Sequence, residues 1–224
     1  MSDIKKQLLD RLEHLHPVIR ETVAVPALYN GYFTMHKGDV TDAKVHVIVC
    51  PVSADFRGGG GVSGMLLGKA GDGLSEDLAA IRNKQNDLSP AIVPIGKKQR
   101  GRLRDAVKAV CFVPVPMNTQ DDTHEDMYKV LRNAYLAVYR KVDECGLFDE
   151  CVTIAFPLLG AGSNAYPPQL SAEAAFDAFS MYQGVNKKIS ASLIISGDED
   201  FKAAEDAKRF LLFKDMMKQI IEEV

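Results

Sequence analysis

The chain has 224 residues, of which 46% are hydrophobic and 25% are charged, a composition that is typical of a soluble globular protein and argues against disorder. Its formal net charge of -3 gives no excess of positive charge that would favour binding to duplex nucleic acid. A chain of this length can bury its apolar surface around one core. We therefore expect a helical or extended addition over residues 1–31 and one domain over residues 32–224.

The N-terminal segment carries a helical stripe of apolar residues. Positions 4, 8, 9, 12 and 15 are apolar, a spacing that predicts a terminal helix over residues 3–15, ending before Pro17. This polar amphipathic start does not resemble a signal peptide, and no apolar run approaches membrane-spanning length. We therefore expect a cytoplasmic protein without a membrane partner.

Cysteine usage supports the same compartment. The four cysteines lack C-x-x-C spacing, and three of them lie in or beside apolar runs: Cys50, Cys111, Cys145 and Cys151. Buried free thiols in a reducing compartment explain this pattern better than a disulfide framework or a zinc site. The sequence therefore predicts no metal centre.

Strands and helices alternate along the rest of the chain. Strand-like apolar runs cover residues 32–36, 45–50, 91–95, 109–115, 151–156 and 192–196, and helical patterns cover residues 63–70, 74–82, 125–145, 171–183 and 200–222. Pro94 confines its strand to an edge or an end of a sheet, and Ser171 is the expected N-cap of its helix. The alternation predicts an α/β fold with a mixed, largely parallel central sheet.

A run of glycines follows the apolar strand at residues 45–50. Residues 56–64 read Phe-Arg-Gly-Gly-Gly-Gly-Val-Ser-Gly, and consecutive glycines permit positive φ and let backbone N–H groups approach a ligand closely. The helix expected next adds unpaired N–H groups and a positive dipole end. A flexible linker is the alternative, although linkers more often contain Ser, Pro and charges. The pattern indicates a phosphate cradle that is neither a P-loop nor a complete dinucleotide fingerprint.

A second glycine-rich loop follows the strand at residues 151–156. Residues 159–167 read Leu-Gly-Ala-Gly-Ser-Asn-Ala-Tyr-Pro and lead into another predicted helix. Open α/β sheets bind ligands at the carboxyl ends of their strands. Two such cradles at one edge predict a diphosphate ligand.

These motifs together resemble the macrodomain family over about residues 32–210. The resemblance rests on residues 38–41 (Gly-Asp-Val-Thr), the strand at 45–50, the glycines and valine at 59–62, and residues 156–162 followed by Tyr166 and Pro167. It implies a three-layer α/β/α sandwich that binds ADP-ribose, free or linked to a mono-ADP-ribosylated protein. No cofactor beyond this ligand is implied.

The resemblance also implies a set of ligand-binding residues. Asp39 corresponds to the carboxylate that accepts a hydrogen bond from the adenine amine, and Phe201 corresponds to an aromatic that stacks on adenine. Alternatively, Asp39 is only a turn residue, and Phe201 is a core contact of the last helix. Because an unpaired buried carboxylate is costly, we expect Asp39 at the rim or bonded to backbone N–H groups. The implied set is Asp39, Val40, Ser53, Gly59, Gly60, Gly61, Val62, Gly160, Ala161, Gly162, Ser163, Asn164 and Phe201.

Two catalytic patterns of the family are each incomplete here. In one, an Asn orients the distal ribose and an Asp activates water, and this chain has Ser53 and Ser63 at those places. The other has a Ser-x-Asp-x-Arg stretch, present at residues 53–57, with a lysine nucleophile and an acid. Lys97 or Lys98 is a candidate for that lysine or is surface charge, while the acid position falls on Asn164, an amide that cannot exchange a proton as a carboxylate does.

The sequence therefore leaves different classes of function open. A binding module for ADP-ribose or an ADP-ribosyl group is favoured. The alternative is a hydrolase that removes ADP-ribose from protein or processes an ADP-ribose derivative, with Ser53, Ser63, Asn164 and Lys97 as catalytic candidates. A degenerate domain kept for protein contacts is a third reading, which the retained glycines argue against.

Overall fold

The computed structural model describes residues 25–26, 32–84, 87–96, 101, 103, 106–149, 151–182 and 186–222, with backbone only at 25–26, 32 and 212–222. The helix expected at residues 3–15 lies outside these ranges, as do Lys97 and Lys98. None of the described helices is long and apolar enough to cross a bilayer.

One mixed sheet forms the centre of the described chain. Its strands are β1 (Val25–Pro26), β2 (Tyr32–Lys37), β3 (Val45–Val52), β4 (Ala91–Pro94), β5 (Val107–Pro114), β6 (Cys151–Phe156) and β7 (Lys188–Ile195). They are arranged in the order β1-β2-β7-β6-β3-β5-β4. The five inner strands are parallel, while the edge strands β1 and β4 are antiparallel to their neighbours. The predicted mixed, largely parallel sheet is confirmed, with Pro94 at the end of an edge strand.

Helices cover both faces of the sheet. They are α1 (Gly61–Ala70), α2 (Asp72–Arg82), α3 (His124–Glu144), α4 (Pro168–Met181) and α5 (Asp198–Glu222), and a short 3-10 helix spans Val40–Asp42. Successive residues of β3 point to opposite faces: Ile48 packs in the core beneath α1 and α2, whereas Val47 packs in the core beneath α3, α4 and α5. This is the three-layer α/β/α sandwich that the sequence predicts.

Two predicted starts differ from the structure by three residues or more. Helix α4 begins at Pro168 and is preceded by Pro167, because the fixed φ of proline suits the first helical position. The prediction that Ser171 caps this helix is therefore wrong, since Ser171 lies inside α4 and is fully buried. Strand β7 begins at Lys188 rather than at residue 192, because Ile189 and Ala191 continue the alternation of buried positions.

Candidate functional site

The two glycine-rich loops meet above neighbouring strands. Strands β3 and β6 are parallel and paired, so both loops leave the same edge of the sheet and enclose a cavity of about 340 Å³. This lies within the range of roughly 300–1,000 Å³ that is usual for small-molecule sites. The cavity is lined by Pro51, Val52, Ser53, Arg57, Gly58, Gly59, Gly60, Gly61, Val62, Ser63, Leu158, Gly160, Gly162, Ser163 and Asn164.

The first loop presents backbone to this cavity. Gly59 and Gly61 have φ values of 145° and 50°, which a residue with a side chain rarely adopts. Gly60 precedes the first residue of α1, and no side chain caps that helix. A Cβ atom on Gly60 would meet nothing within 4 Å. The helix N-terminus with its positive dipole end is therefore open to an anion.

Ser63 holds the first loop in shape. Its hydroxyl accepts a hydrogen bond from the N–H of Gly59 at 3.1 Å and donates to the carbonyl of Gly60 at 2.8 Å. Beside it, a Cβ atom on Gly64 would lie only 2.7 Å from the carbonyl oxygen of Gly59. Glycine at position 64 therefore allows α1 to pack directly beneath the loop, and the Ser63 hydroxyl is committed to the loop's backbone.

The turn before the glycines is also internally bonded. The Ser53 hydroxyl lies 2.5 Å from Asp55 Oδ1 and accepts from the N–H of Arg57 at 3.0 Å, while Arg57 Nε lies 2.6 Å from Asp55 Oδ2. The bond from Ser53 is the main reason that the pKa of Asp55 is lowered. Phe56 adopts a φ of 56° and is buried in the core. The turn is thus anchored, and it brings Arg57 to the cavity.

The second loop is braced by the segment that follows β5. Gly160 has a φ of 75°, and the side-chain amide of Asn164 donates to the carbonyl of Val115 at 2.9 Å. The N–H of Asn118 donates in turn to the carbonyl of Asn164 at 3.1 Å. This brace could not be predicted from the sequence, because it joins loops that lie far apart along the chain.

Asp39 lies outside the cavity lining and begins the 3-10 helix. Its Oδ1 accepts hydrogen bonds from the N–H and hydroxyl of Thr41 at 2.8 and 2.7 Å, and its Oδ2 lies 3.5 Å from Lys69 Nζ. Burial acts to raise the pKa of this carboxyl, but the bonds from Thr41 and the charge of Lys69 outweigh it and lower the pKa. The expected bond to a backbone N–H group is confirmed.

Three further candidates lie away from the cavity lining. Val40 is buried beneath α1, while Ala161 and Phe201 are partly buried and pack against the core on the other face. Asp39 and Phe201 nevertheless follow β2 and β7, which continue the sheet beyond β6. Their elements therefore end at the same edge as the two loops.

Sequence reasoning missed Pro51, Val52, Arg57, Gly58 and Leu158 as cavity residues. Two of them had a signal: Arg57 belongs to the Ser-x-Asp-x-Arg stretch, and Gly58 belongs to the glycine run. Among the described residues that line the cavity, Arg57 is the one with an ionisable side chain, and none carries a carboxylate, an imidazole or a thiol. The arrangement can hold an anion through backbone N–H groups and one guanidinium.

The fold and the cavity define an α/β/α protein with a cavity between two glycine-rich loops. A family model described as Macro domain matches residues 49–175, and the chain belongs to that family. It is 33% identical over 147 residues to an O-acetyl-ADP-ribose deacetylase of Enterobacter sp. (strain 638), with 65% of this chain and 75% of that protein covered. The predicted family membership is confirmed.

Solved macrodomains share the fold. One from Oceanobacillus iheyensis with ADP superposes with a TM-score of 0.69 at 18% identity, covering 85% of this chain and 96% of that one. Another from Trypanosoma brucei in complex with ADP-ribose has a TM-score of 0.60 at 17% identity, covering 78% of this chain and 68% of that one. At these identities the likeness concerns architecture, and it confirms the predicted sandwich.

Proposed function

We propose that this protein binds ADP-ribose, free or attached to a protein, in the cavity between the two glycine loops. The observation that carries the proposal is the cavity itself, a set of open glycine backbones and a helix N-terminus at the carboxyl ends of β3 and β6. Backbone N–H groups hold a diphosphate without basic side chains, which suits a chain of net charge -3. Family membership supports the same ligand.

The ligand would lie along the carboxyl edge of the sheet. Residues 59–62 hold one part of the diphosphate and the distal ribose, and residues 160–164 hold the other part. The adenine extends towards β7 and β2, where Asp39 accepts a hydrogen bond from its amine. The Oδ1 atom of Asp39 is occupied by Thr41, so the atom that faces the base in this proposal is Oδ2.

Binding is favoured over hydrolysis because the catalytic candidates are engaged elsewhere. The hydroxyls of Ser53 and Ser63 bond to their own loops, and the amide of Asn164 donates to Val115. A general base must lie within hydrogen-bond reach of the proton that it removes. No described residue of the cavity lining offers a carboxylate or an imidazole for this purpose.

Calorimetry with ADP-ribose tests the proposal. We expect saturable binding to the unaltered protein, because the cavity needs no further component. Gly60→Glu places a carboxylate in the open space above Gly60 and should reduce affinity by about a hundredfold or more, which corresponds to about 2.7 kcal/mol. Gly60→Ala is the matched control and should bind within about twofold of the original protein. No heat at millimolar ADP-ribose would overturn the proposal.

Hydrolysis remains the second candidate because a 33% identical relative is named an O-acetyl-ADP-ribose deacetylase. Release assays on mono-ADP-ribosylated protein and on O-acetyl-ADP-ribose separate the two functions. A binding module leaves both substrates intact at enzyme concentrations that saturate binding. Turnover that disappears in Lys97→Ala but not in Lys129→Ala would establish the hydrolase with Lys97 as its nucleophile.

We also infer a reducing, cytoplasmic location, with ADP-ribose as a ligand rather than a cofactor. The four cysteines are free. Burial raises the pKa of Cys111 to about 12 and raises that of Cys50 as well, so both thiols stay protonated and unreactive. Binding to duplex DNA and to lipid vesicles is expected to be undetectable, which a filter-binding assay and a flotation assay measure.

A further inference from the structure

We propose that Tyr135 and Ser171 are positioning residues that hold the second glycine loop in its ligand-binding shape. The proposal rests on the binding function above. The N–H of Leu159 donates to the Tyr135 hydroxyl at 2.9 Å, and the Ser171 hydroxyl donates to the carbonyl of Leu159 at 2.8 Å. The two hydroxyls lie 3.0 Å apart. These bonds close a ring through both backbone polar groups of the residue before Gly160.

The directions of the bonds follow from the donors available. Since the proton of Ser171 goes to Leu159, the Tyr135 hydroxyl accepts from Leu159 and donates to the oxygen of Ser171 at 3.0 Å, which is nearer than its other acceptor, the carbonyl of Pro157 at 3.4 Å. Burial raises the pKa of Tyr135 to about 12, so the phenol keeps the proton that this ring requires. Every member of the ring then both donates and accepts.

The ring lies in a fully buried place. The side chains of Tyr135 and Ser171, on α3 and α4, have no solvent exposure, and neither does Leu159. Water cannot replace a lost hydrogen bond at such a site, so a loop conformation that breaks the ring leaves backbone groups unpaired. Two helices therefore select one conformation for the loop that leaves β6.

The selected conformation affects the cavity directly. Leu158 and Gly160, on either side of Leu159, both line the cavity. Gly160 adopts a φ of 75°, and a Cβ atom there would lie 2.6 Å from the ring of Tyr166. The hydrogen bonds from α3 and α4 thus hold the loop in one conformation in the absence of ligand. Such preorganisation reduces the entropy cost of ordering the loop on binding. Asp39 lies beyond this loop and does not depend on the ring.

The test compares two buried tyrosines of α3. Tyr135 and Tyr139 are both fully buried, and their rings lie 5.4 and 5.2 Å from that of Phe156. The Tyr139 hydroxyl has no hydrogen-bond partner among the described residues. Tyr135→Phe should weaken ADP-ribose binding by about tenfold and adenosine binding by less than about twofold, since adenosine lacks both the diphosphate and the distal ribose. Tyr139→Phe should leave both affinities unchanged.

Hydrogen exchange without ligand gives an independent result. Amides of residues 158–163 should exchange faster in Tyr135→Phe and in Ser171→Ala than in the original protein or in Tyr139→Phe. Unchanged exchange, or an equal loss of ADP-ribose and adenosine affinity, would overturn the proposal; Ser171→Ala decides it if Tyr135→Phe does not fold. If the original protein binds no ADP-ribose, the proposed binding function is wrong. The exchange comparison then still tests whether the hydrogen-bonded ring holds the second loop.

Discussion

The amino group of Lys69 lies 3.5 Å from Asp39 Oδ2 and 2.5 Å from the hydroxyl of Thr41. It also lies 2.5 Å from Asp42 Oδ1, and the hydrogen bond that it donates to this carboxylate is the main reason that the pKa of Lys69 is raised. Helix α1 begins at Gly61 in the first loop and carries Lys69 in its last turn. One helix therefore contacts both the expected phosphate site and the expected adenine reader.

This contact leads to a prediction about base selectivity. The unaltered protein should prefer ADP-ribose to inosine diphosphate ribose, since in the proposed binding mode Asp39 accepts from the adenine amine but would repel the oxygen of hypoxanthine. Lys69→Met leaves Asp39 held by Thr41 alone and should reduce this preference by about threefold to tenfold. Competition calorimetry with the two nucleotides measures the ratio. Lys129→Met removes an exposed ion pair with Glu125 and is the control. A lack of preference in the unaltered protein would contradict the role of Asp39, and an unchanged preference in Lys69→Met would contradict the role of Lys69.

The glycine at position 64 gives a second prediction. A Cβ atom there would lie 2.7 Å from the carbonyl of Gly59, whereas one at Gly68, a turn later in α1, would meet nothing within 4 Å. Gly64→Ala must displace the loop and should weaken ADP-ribose binding by about tenfold or more. Gly68→Ala should keep the affinity and stabilise the fold by up to about 1 kcal/mol. Calorimetry and thermal unfolding distinguish these outcomes, and equal effects of the two substitutions would refute the packing argument.

The sequence predicted the parts of the site that depend on local pattern. The apolar run at residues 151–156 is β6 with the predicted bounds, and both glycine loops leave parallel strands as expected. Alternating or continuous apolar residues report directly on burial in a sheet. Runs of glycine likewise indicate where backbone N–H groups are accessible to a ligand.

Contacts between distant segments could not be predicted in this way. Ser171 follows a proline pair and has the composition of a cap, yet its hydroxyl is used by Leu159 and Tyr135. Asn164 was compared with a catalytic acid, but its amide braces the loop against Val115. Each of these roles depends on where two helices or loops meet in space, which a single sequence does not encode in its spacing.

The amino ends of β3 and β6, opposite the cavity, carry a pH-dependent contact. His46 Nδ1 accepts a hydrogen bond from the N–H of Thr153 at 3.0 Å. Burial, followed by the charge of Lys108, lowers the pKa of His46 below 6.5, against an opposing effect of Asp149. The fold therefore favours the neutral ring. The stability that this provides is complete above pH 6.5 and is lost as the pH falls through the lowered pKa.

His46→Asn tests this contact, because an amide oxygen can accept the same bond without titrating. Between pH 7 and pH 5 the melting temperature of the unaltered protein should fall further than that of the variant. ADP-ribose affinity at pH 7 should be unchanged, since the contact lies at the other edge of the sheet. Parallel pH profiles in the two proteins would contradict the prediction.

Arg57 is the ionisable side chain that the structure places in the described cavity lining, and this position leads to the last prediction. It pairs with Asp55 through Nε, and a guanidinium has two further nitrogens that can donate to a phosphate. Arg57→Gln should weaken ADP-ribose binding by about threefold to tenfold. Between 50 and 300 mM salt, the affinity of the variant should also change less than that of the unaltered protein, because the variant lacks a charge pair that salt screens as the Debye length shortens. Arg209→Gln, which removes an exposed charge from α5 paired with Asp206, should change neither quantity. If Arg57→Gln binds with the affinity and salt dependence of the unaltered protein, the diphosphate is held by backbone N–H groups alone.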